Sequence, residues 1–473
     1  MNRSLIPLIL VLTLFASCSQ KNDKKPNVLF ILVDDLGWND LGCYGSTFYE
    51  SPNIDKLAKT SIMFTDAYAA GSVCSPTRAA ILTGKHPTRI GITDWIPGKG
   101  DKGQKLKTPE ILNELPLEEY TMAEIFKDHG YNTFFAGKWH LGDKGHFPED
   151  QGFDINIGGN HTGSPRGGYY SPYKNPQLPD GPEGEYLTDR LTNETIKFIT
   201  QNVKNDPDKP FFAYLSYYTV HSPIQGCNRY NEKFKKKAAT LPAAPDSGYV
   251  FDKNGWTKTQ QNNPKYAAMV YAMDENVGRL LEKLKELGID DNTIIVFTSD
   301  NGGLSTLIWK GAPTCLYPLR AGKGWCYEGG IRIPLIIKLP GEKKPIVINN
   351  PVVSMDLYPT LVELAGLHRV PKQYVDGVSL VPLFEGKDIK RKSLFWHYPH
   401  YHGSGWTPGA AIRKDNWKLV EFYEDSVIEL YDLSKDTSEV LDVSNKYPEK
   451  TKDMLNLLKE KQKETGAKFP VLK

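Results

Sequence analysis

Four apolar runs in this chain each stop abruptly in polar or charged residues, and that pattern constrains the fold more than any other feature. "NVLFILVDD" ends in Asp34 and Asp35, "YNTFFAGKWHLG" in Lys138 and His140, "PFFAYLSYYTVHSP" in His221, and "NTIIVFTSDNGG" in Asp300 and Asn301. Continuous apolar runs rich in β-branched and aromatic residues read as strands buried on both faces. Helical patterns lie between them, at 53–58, 78–82, 122–129, 187–201, 264–287 and 355–365. This alternation predicts an α/β fold with a large, mostly parallel sheet sandwiched by helices. Residues 222–263 read as a long polar excursion with a basic stretch, "KFKKKAA". From about residue 384 the texture changes to short antiparallel strands and one helix, "PEKTKDMLNLLKEKQKETG". A smaller C-terminal α+β subdomain with an antiparallel sheet is expected at 384–473.

In open α/β sheets, ligands bind outside the carboxyl ends of the strands. Asp34, Asp35, Lys138, His140, His221, Asp300 and Asn301 are therefore candidates for one site, although each alone has an ordinary explanation as a cap, turn or surface residue. Asp34, Asp35, Asp300 and Asn301 are hard oxygen ligands, which suits Ca²⁺ or Mg²⁺ better than zinc. Lys138, His140, His221 and Arg78 offer positive charge and protons to an anion.

"GSVCSPTRAAILTG" places Cys74 directly before a helix-forming run, with Pro76 near the first turn. A helix N-terminus there would face the anion with free N–H groups. By itself Cys74 could be a buried small hydrophobe, half of a disulfide, a nucleophile or the precursor of something else. A metal, a cationic cluster and a helix N-terminus suit transfer of a tetrahedral oxyanion group, phosphoryl or sulfuryl.

The chain has 473 residues, a formal net charge of +2 and a pI near 8.0, so no concentrated basic face marks a nucleic-acid partner. The N-terminus has Arg3, an apolar stretch from Leu5 to Ala16, then small residues and Cys18. That stretch is shorter than the about 20 residues of a membrane span and fits a signal peptide over 1–18. "FASC" resembles a bacterial lipobox, so lipidation of Cys18 is expected. A linker at 19–25 and a catalytic domain at 26–383 follow. The mature protein is expected to be exported to the periplasm or cell surface, touching membrane only through the lipid. Six cysteines are present, with no CxxC pair; Cys315 and Cys326 are close enough in sequence to be the first candidates for a disulfide.

Cys74-Ser75-Pro76-Thr77-Arg78 followed by "AAILTGK" resembles the signature of the formylglycine-dependent (type I) sulfatases of the alkaline phosphatase-like superfamily. "NVLFILVDDLGWNDLGCYG", "GKWHLG", "VHSP", "SDNGG" and "LRAGKGWCYEGGIRIP" resemble further segments of the same family, in order, over roughly residues 26–385. The resemblance implies that a maturase oxidises Cys74 to formylglycine (3-oxoalanine), whose hydrate attacks sulfur and later expels sulfate. It implies one Ca²⁺ held by Asp34, Asp35, Asp300 and Asn301, with modified Cys74 completing the site. Arg78 would hold the metal-bound diol. Lys138 and Lys323 would bind sulfate oxygens. His221, with Lys323 as a second donor, would protonate the leaving alcohol, and His140 would assist the diol.

The expected substrate is a sulfated saccharide, as for Bacteroidetes carbohydrate sulfatases. Galactose or N-acetylgalactosamine units are favoured, with 4-O-sulfate first, 6-O-sulfate next, and action at chain ends. Trp95, His161, Arg166, His400 and His402 are candidate sugar contacts. Two other functions are weighed: a phosphonate or phosphate ester hydrolase of the same superfamily, and a non-catalytic glycan-binding lipoprotein.

Overall fold

The structure is a computed structural model that describes residues 24–368 and 373–473. The proposed signal peptide, most of the linker and Cys18 lie outside the described residues. Among the described residues, no helix is long and apolar enough to cross a membrane.

The four apolar runs form strands β1 (Asn27–Val33), β3 (Asn132–Gly137), β5 (Phe211–Tyr217) and β6 (Thr293–Ser299), side by side in the order β6-β1-β5-β3. They pair in parallel. The nine-stranded sheet is completed by β2 (Ile62–Tyr68), β4 (Ile155–Ile157), β7 (Arg332–Lys338), β8 (Ile346–Ile348) and β9 (Val352–Val353). β4 adds to β3, and β8 and β9 to β2, also in parallel; only β7, between β2 and β6, runs against its neighbours.

Burial on both faces explains the unbroken apolar character of β1. Leu29, Ile31 and Val33 enter one core, which contains apolar residues of helices Leu187–Asn205 and Pro264–Glu286. Val28, Phe30 and Leu32 enter the other, with Ile81, Phe126 and Leu361. The long helix Pro264–Glu286 begins as its sequence predicts: Asn263 accepts hydrogen bonds from the N–H groups of Lys265 and Tyr266, and Pro264 occupies the first turn.

Helix α1 (Cys74–Thr83) starts one turn before the stretch 78–82 read from the sequence. Pro76 sits within its first turn, where a missing N–H breaks no helical bond. All ten residues are buried, and Gly84 closes the helix in the left-handed region. The polar excursion at 222–263 holds a helix, Asn228–Ala239, and a hairpin of Tyr249–Asp252 with Gly255–Lys258.

The C-terminal strands β10 (Leu394–Tyr398), β11 (Gly409–Lys414), β12 (Trp417–Phe422) and β13 (Ile428–Asp432) form an antiparallel sheet in that order. One face packs Trp396, Tyr398, Val420 and Phe422 against Val73, Ala80 and Trp325 of the main part. The other buries Ile412, Leu419 and Leu430 under Met454 and Leu458 of helix Pro448–Glu464. Cys315 and Cys326 are free buried thiols, which corrects the disulfide expectation. Their surroundings differ: Cys315 lies near Asp40 and Lys258, whereas Cys326 packs with Trp325 and Trp406.

Candidate active site

The parallel strands end level with one another. Val33 pairs with both Tyr217 and Ser299, and Gly137 pairs with Ser216. The polar residues that follow them are thereby delivered to one edge of the sheet. Asp35 reaches its place through a left-handed backbone (φ 59°), and its N–H donates to Asp300 Oδ1 at 3.2 Å. Gly137 has φ 105°, and a Cβ there would fall 1.8 Å from the Ser216 carbonyl oxygen. Glycine is the residue that fits this close turn, which sends Lys138 into the site.

Cys74, at the start of α1, is buried at the centre of these groups. Its Sγ lies 3.3 Å from Lys323 Nζ and 3.5 Å from Asp34 Oδ1. One turn along, Arg78 points the same way, as spacing of four on a helix requires. Its Nε donates to Asp300 Oδ2 at 2.8 Å, and its Nη1 to the Lys138 carbonyl and Ser216 Oγ, both at 2.7 Å. Arg78 thus ties the ends of β3, β5 and β6 to α1. Lys138 Nζ donates to Asp34 Oδ2 at 2.7 Å, and Lys323 Nζ to Asp35 Oδ2 at 2.9 Å.

Burial dominates the electrostatics. It pushes the Asp34 carboxyl up to about 7, with Lys138 pulling the other way. Burial also works to raise Asp35, but Lys323, His221 and Lys138 outweigh it and hold that carboxylate well below the usual range. Asp300 is lowered too, by Arg78 and Lys138 against its burial. The Cys74 thiol is pushed up to about 12 by burial, despite Lys138 and Lys323. Burial thus favours the protonated thiol over the thiolate at this position.

The histidines are oriented by carbonyl partners, which can only accept, so the facing ring nitrogen carries hydrogen. His140 Nε2 donates to the Ile96 carbonyl at 2.6 Å, and its Nδ1 is buried with no partner. His221 Nδ1 donates to the Ser222 carbonyl at 2.8 Å, and its Nε2 faces Asp35 Oδ2 at 3.7 Å. Burial, aided by Lys323, pushes His221 down to about 3 although Asp35 pulls upward.

Above Cys74 opens a cavity of about 620 Å³. Trp95, His161, Arg166 and His402 line it, as do Asp35, His140, His221 and Lys323. His402 is brought there by Gly324 (φ 85°): a Cβ at Gly324 would stand 2.0 Å from His402 Nδ1. His400 does not reach this cavity. It is buried behind it, with Nε2 2.8 Å from Thr93 Oγ1, because the chain turns its ring toward Thr93 and Asp94. That corrects its reading as a sugar contact. Lys99, Thr162 and Trp309 also line the cavity and were missed. They lie on irregular loops, where no periodicity or motif marks them.

The residues fit a hard divalent cation. Single ligand atoms of Asp34, Asp35, Cys74 and His221 lie within 4.8 Å of one another. Asn301 Nδ2 donates to Asp35 Oδ1 and the Gly302 carbonyl, which leaves its Oδ1 buried and unpartnered. A buried orphan oxygen beside three buried carboxylates is the expected mark of a cation ligand. Asp34, Asp35, Asp300 and Asn301 would hold the ion.

Comparison with known proteins agrees with this geometry. The Sulfatase family model matches residues 26–367, and the model for the C-terminal region of N-sulphoglucosamine sulphohydrolase matches 321–468. A sulfatase of Formosa agariphila is 32% identical over 93% of this chain and 88% of its own. The human N-acetylgalactosamine-6-sulfatase is 31% identical over 79% of this chain and 68% of its own. A crystal structure of Ps i-CgsB in complex with k-i-k-neocarrahexaose superposes with a TM-score of 0.73 at 31% identity, covering 92% of both chains. The fold is alkaline phosphatase-like, and the chain belongs to the type I sulfatase family of sulfuric ester hydrolases.

Proposed function

We propose that the chain removes O-sulfate from a glycan, with residue 74 carried as formylglycine and a Ca²⁺ ion at Asp34, Asp35, Asp300 and Asn301. When present, these two groups supply a hard oxygen nucleophile at residue 74 and a positive charge that eases its ionisation. The observation that carries the reading is the placement of Cys74 Sγ, 3.3 Å from Lys323 Nζ, on the floor of a cavity lined by aromatic and cationic groups.

Lys323 and Lys138 provide ammonium groups for the sulfate oxygens and for the charge that develops on them. Both are already anchored on carboxylates, so little reorganisation accompanies the reaction. His221 offers Nε2 toward the cavity, from which a proton can pass to the leaving alcohol oxygen. Its burial favours the neutral ring, and the negative charge of a bound ester favours the protonated one. His140 presents an unpartnered Nδ1 that can accept a proton from the residue-74 side chain. Arg78 holds Asp300 and the strand ends in position.

The sugar is read as galactose or N-acetylgalactosamine, cleaved at a chain end, with 4-O-sulfate before 6-O-sulfate. The human relative named for N-acetylgalactosamine 6-sulfate and the neighbour bound to a neocarrahexaose support the sugar class. Terminal action is inferred from the depth of the site, with Cys74 buried at the cavity floor. Export through residues 1–18 and lipidation of Cys18 complete the reading, which makes a maturase a required partner.

The test is sulfate release from galactose, N-acetylgalactosamine and N-acetylglucosamine units sulfated at O3, O4 or O6. The protein must carry a verified aldehyde at residue 74, with Cys74→Ala as control. Release from a 4-O-sulfated galacto-configured sugar, lost in the control, is expected. Release from another position would overturn the sugar assignment. No release from any member would overturn the glycan reading.

A further inference from the structure

We propose that Trp309 is a specificity-determining residue, a stacking platform for the sugar unit next to the sulfated one, so that the preferred substrate is an oligosaccharide. This rests on the glycan sulfatase reading above and extends it to the length of chain recognised.

Trp309 is 57% exposed, yet it lines the same cavity that has Cys74, 1% exposed, at its floor. The sulfur of a substrate must approach residue 74 and Lys323. The sulfated ring therefore occupies the deep part, and a group at the mouth is reached by the next ring outward. A cavity of about 620 Å³ has room for more than one ring. What sets Trp309 apart from other exposed apolar side chains is its place on the wall of the cavity that holds Cys74. Its flat face matches the C–H face of a pyranose, whose hydroxyls remain free for His161, Arg166 and Lys99 on the cavity wall.

The loop that carries Trp309 is braced rather than free. Thr306–Leu307 pair with Gly255–Lys258, which pair in turn with Tyr249–Asp252. Lys310, adjacent to Trp309, lies 4.5 Å over the Trp256 ring, and Trp256 packs on Phe251 with ring centres 5.0 Å apart. The tip of the same hairpin presses on the C-terminal part: a Cβ at Gly255 would stand 2.6 Å from the Ser404 carbonyl oxygen, and Asn254 Nδ2 donates to the Gly405 carbonyl. His402 and Gly403, which line the cavity, belong to that loop. The polar excursion at 222–263 thus supports two walls of the cavity, which gives it a use beyond solvation. Preorganised aromatic surface binds at low entropic cost.

The experiment compares kcat/KM for one sulfated sugar as a monosaccharide and as the non-reducing end of a tetrasaccharide. The sugar is the one that releases sulfate most readily, and a simple aryl sulfate reports on the chemistry alone. For Trp309→Ala the ratio of tetrasaccharide to monosaccharide kcat/KM should fall about tenfold, mainly through KM, as for truncation of a buried aromatic anchor. Trp309→Phe should retain most of the ratio. A ratio within about twofold of the parent in Trp309→Ala would overturn the proposal, as would an equal loss on both sugars. If aryl sulfate is hydrolysed but no saccharide is, or if nothing is hydrolysed, the glycan reading itself has failed. Calorimetric binding of the sulfated tetrasaccharides to Cys74→Ala and to Cys74→Ala with Trp309→Ala then decides: about tenfold weaker binding without Trp309 supports the platform, and equal or undetectable binding to both overturns it.

Discussion

The Lys323 ammonium stands 3.3 Å from Cys74 Sγ and 2.9 Å from an Asp35 carboxylate oxygen, so one cation serves both Cys74 and the acidic cluster. Replacing Lys323 by Met keeps the aliphatic stem and removes the charge. Loss of a fixed cation at the developing charge should lower kcat roughly 10²–10³-fold. Steady-state kinetics with aryl sulfate checks this; a loss confined to KM would assign Lys323 to ground-state binding alone.

Arg78 binds Asp300 through Nε and reaches the Lys138 carbonyl and Ser216 with Nη1. Arg78→Ala leaves a buried carboxylate without its cation, and breaking such a pair costs about 3–5 kcal/mol. Urea unfolding should show that loss together with loss of activity. Arg78→Lys keeps the charge but not the fork, and should recover only part of the stability.

Gly163 lies under the His140 ring, where an added Cβ would meet Cε1 at 2.5 Å and Nε2 at 2.7 Å. Gly163→Ala must therefore displace a ring held by its bond to the Ile96 carbonyl. Small misplacements of a reacting group cost about tenfold to a hundredfold in rate. The expected result is a fall in kcat of that size with a near-native melting temperature. Unchanged kcat would mean that His140 has no part in proton transfer.

His86 joins the two parts of the molecule. Its ring stacks on Phe395 at 3.9 Å, its Nε2 donates to the Phe395 carbonyl, and its Nδ1 accepts from the Thr88 N–H. Burial pushes it down to about 4 from an ordinary 6.5. The neutral ring is favoured in the fold, so its contribution is complete above 6.5. It is lost as pH falls from 6.5 toward 4, where only the unfolded chain takes up the proton. Between pH 7 and pH 5 the stability should drop by about 2 kcal/mol from this group. His86→Gln should flatten the slope by that amount, as read from urea unfolding at the two pH values. An unaltered slope would place the proton uptake elsewhere.

Much of the site was legible because strand ends carry it. The runs before Asp34, Lys138, His221 and Asp300 are buried on both faces, so their apolar character is continuous and their ends are sharp. β2 escaped the reading because Thr65 and Asp66 interrupt its apolar pattern and are only half-buried. β7 escaped because Pro334 stands inside it, and the register shifts there. The cavity walls were harder. Of the three histidines in "HYPHYHGSGW" only His402 lines the cavity, whereas His397 is buried toward Tyr423 and His400 toward Thr93. Lys99 and Trp309 sit on loops whose course depends on distant partners, so no local spacing could have revealed them.

The most direct measurement joins peptide mass at residue 74 to activity in the same samples. The protein is produced with varying amounts of a formylglycine-generating maturase, and the fraction of aldehyde at residue 74 is plotted against sulfate release. Activity should rise in proportion to the aldehyde and pass through zero where residue 74 remains cysteine. Full sulfate release from protein whose residue 74 is an unmodified thiol would contradict the mechanism.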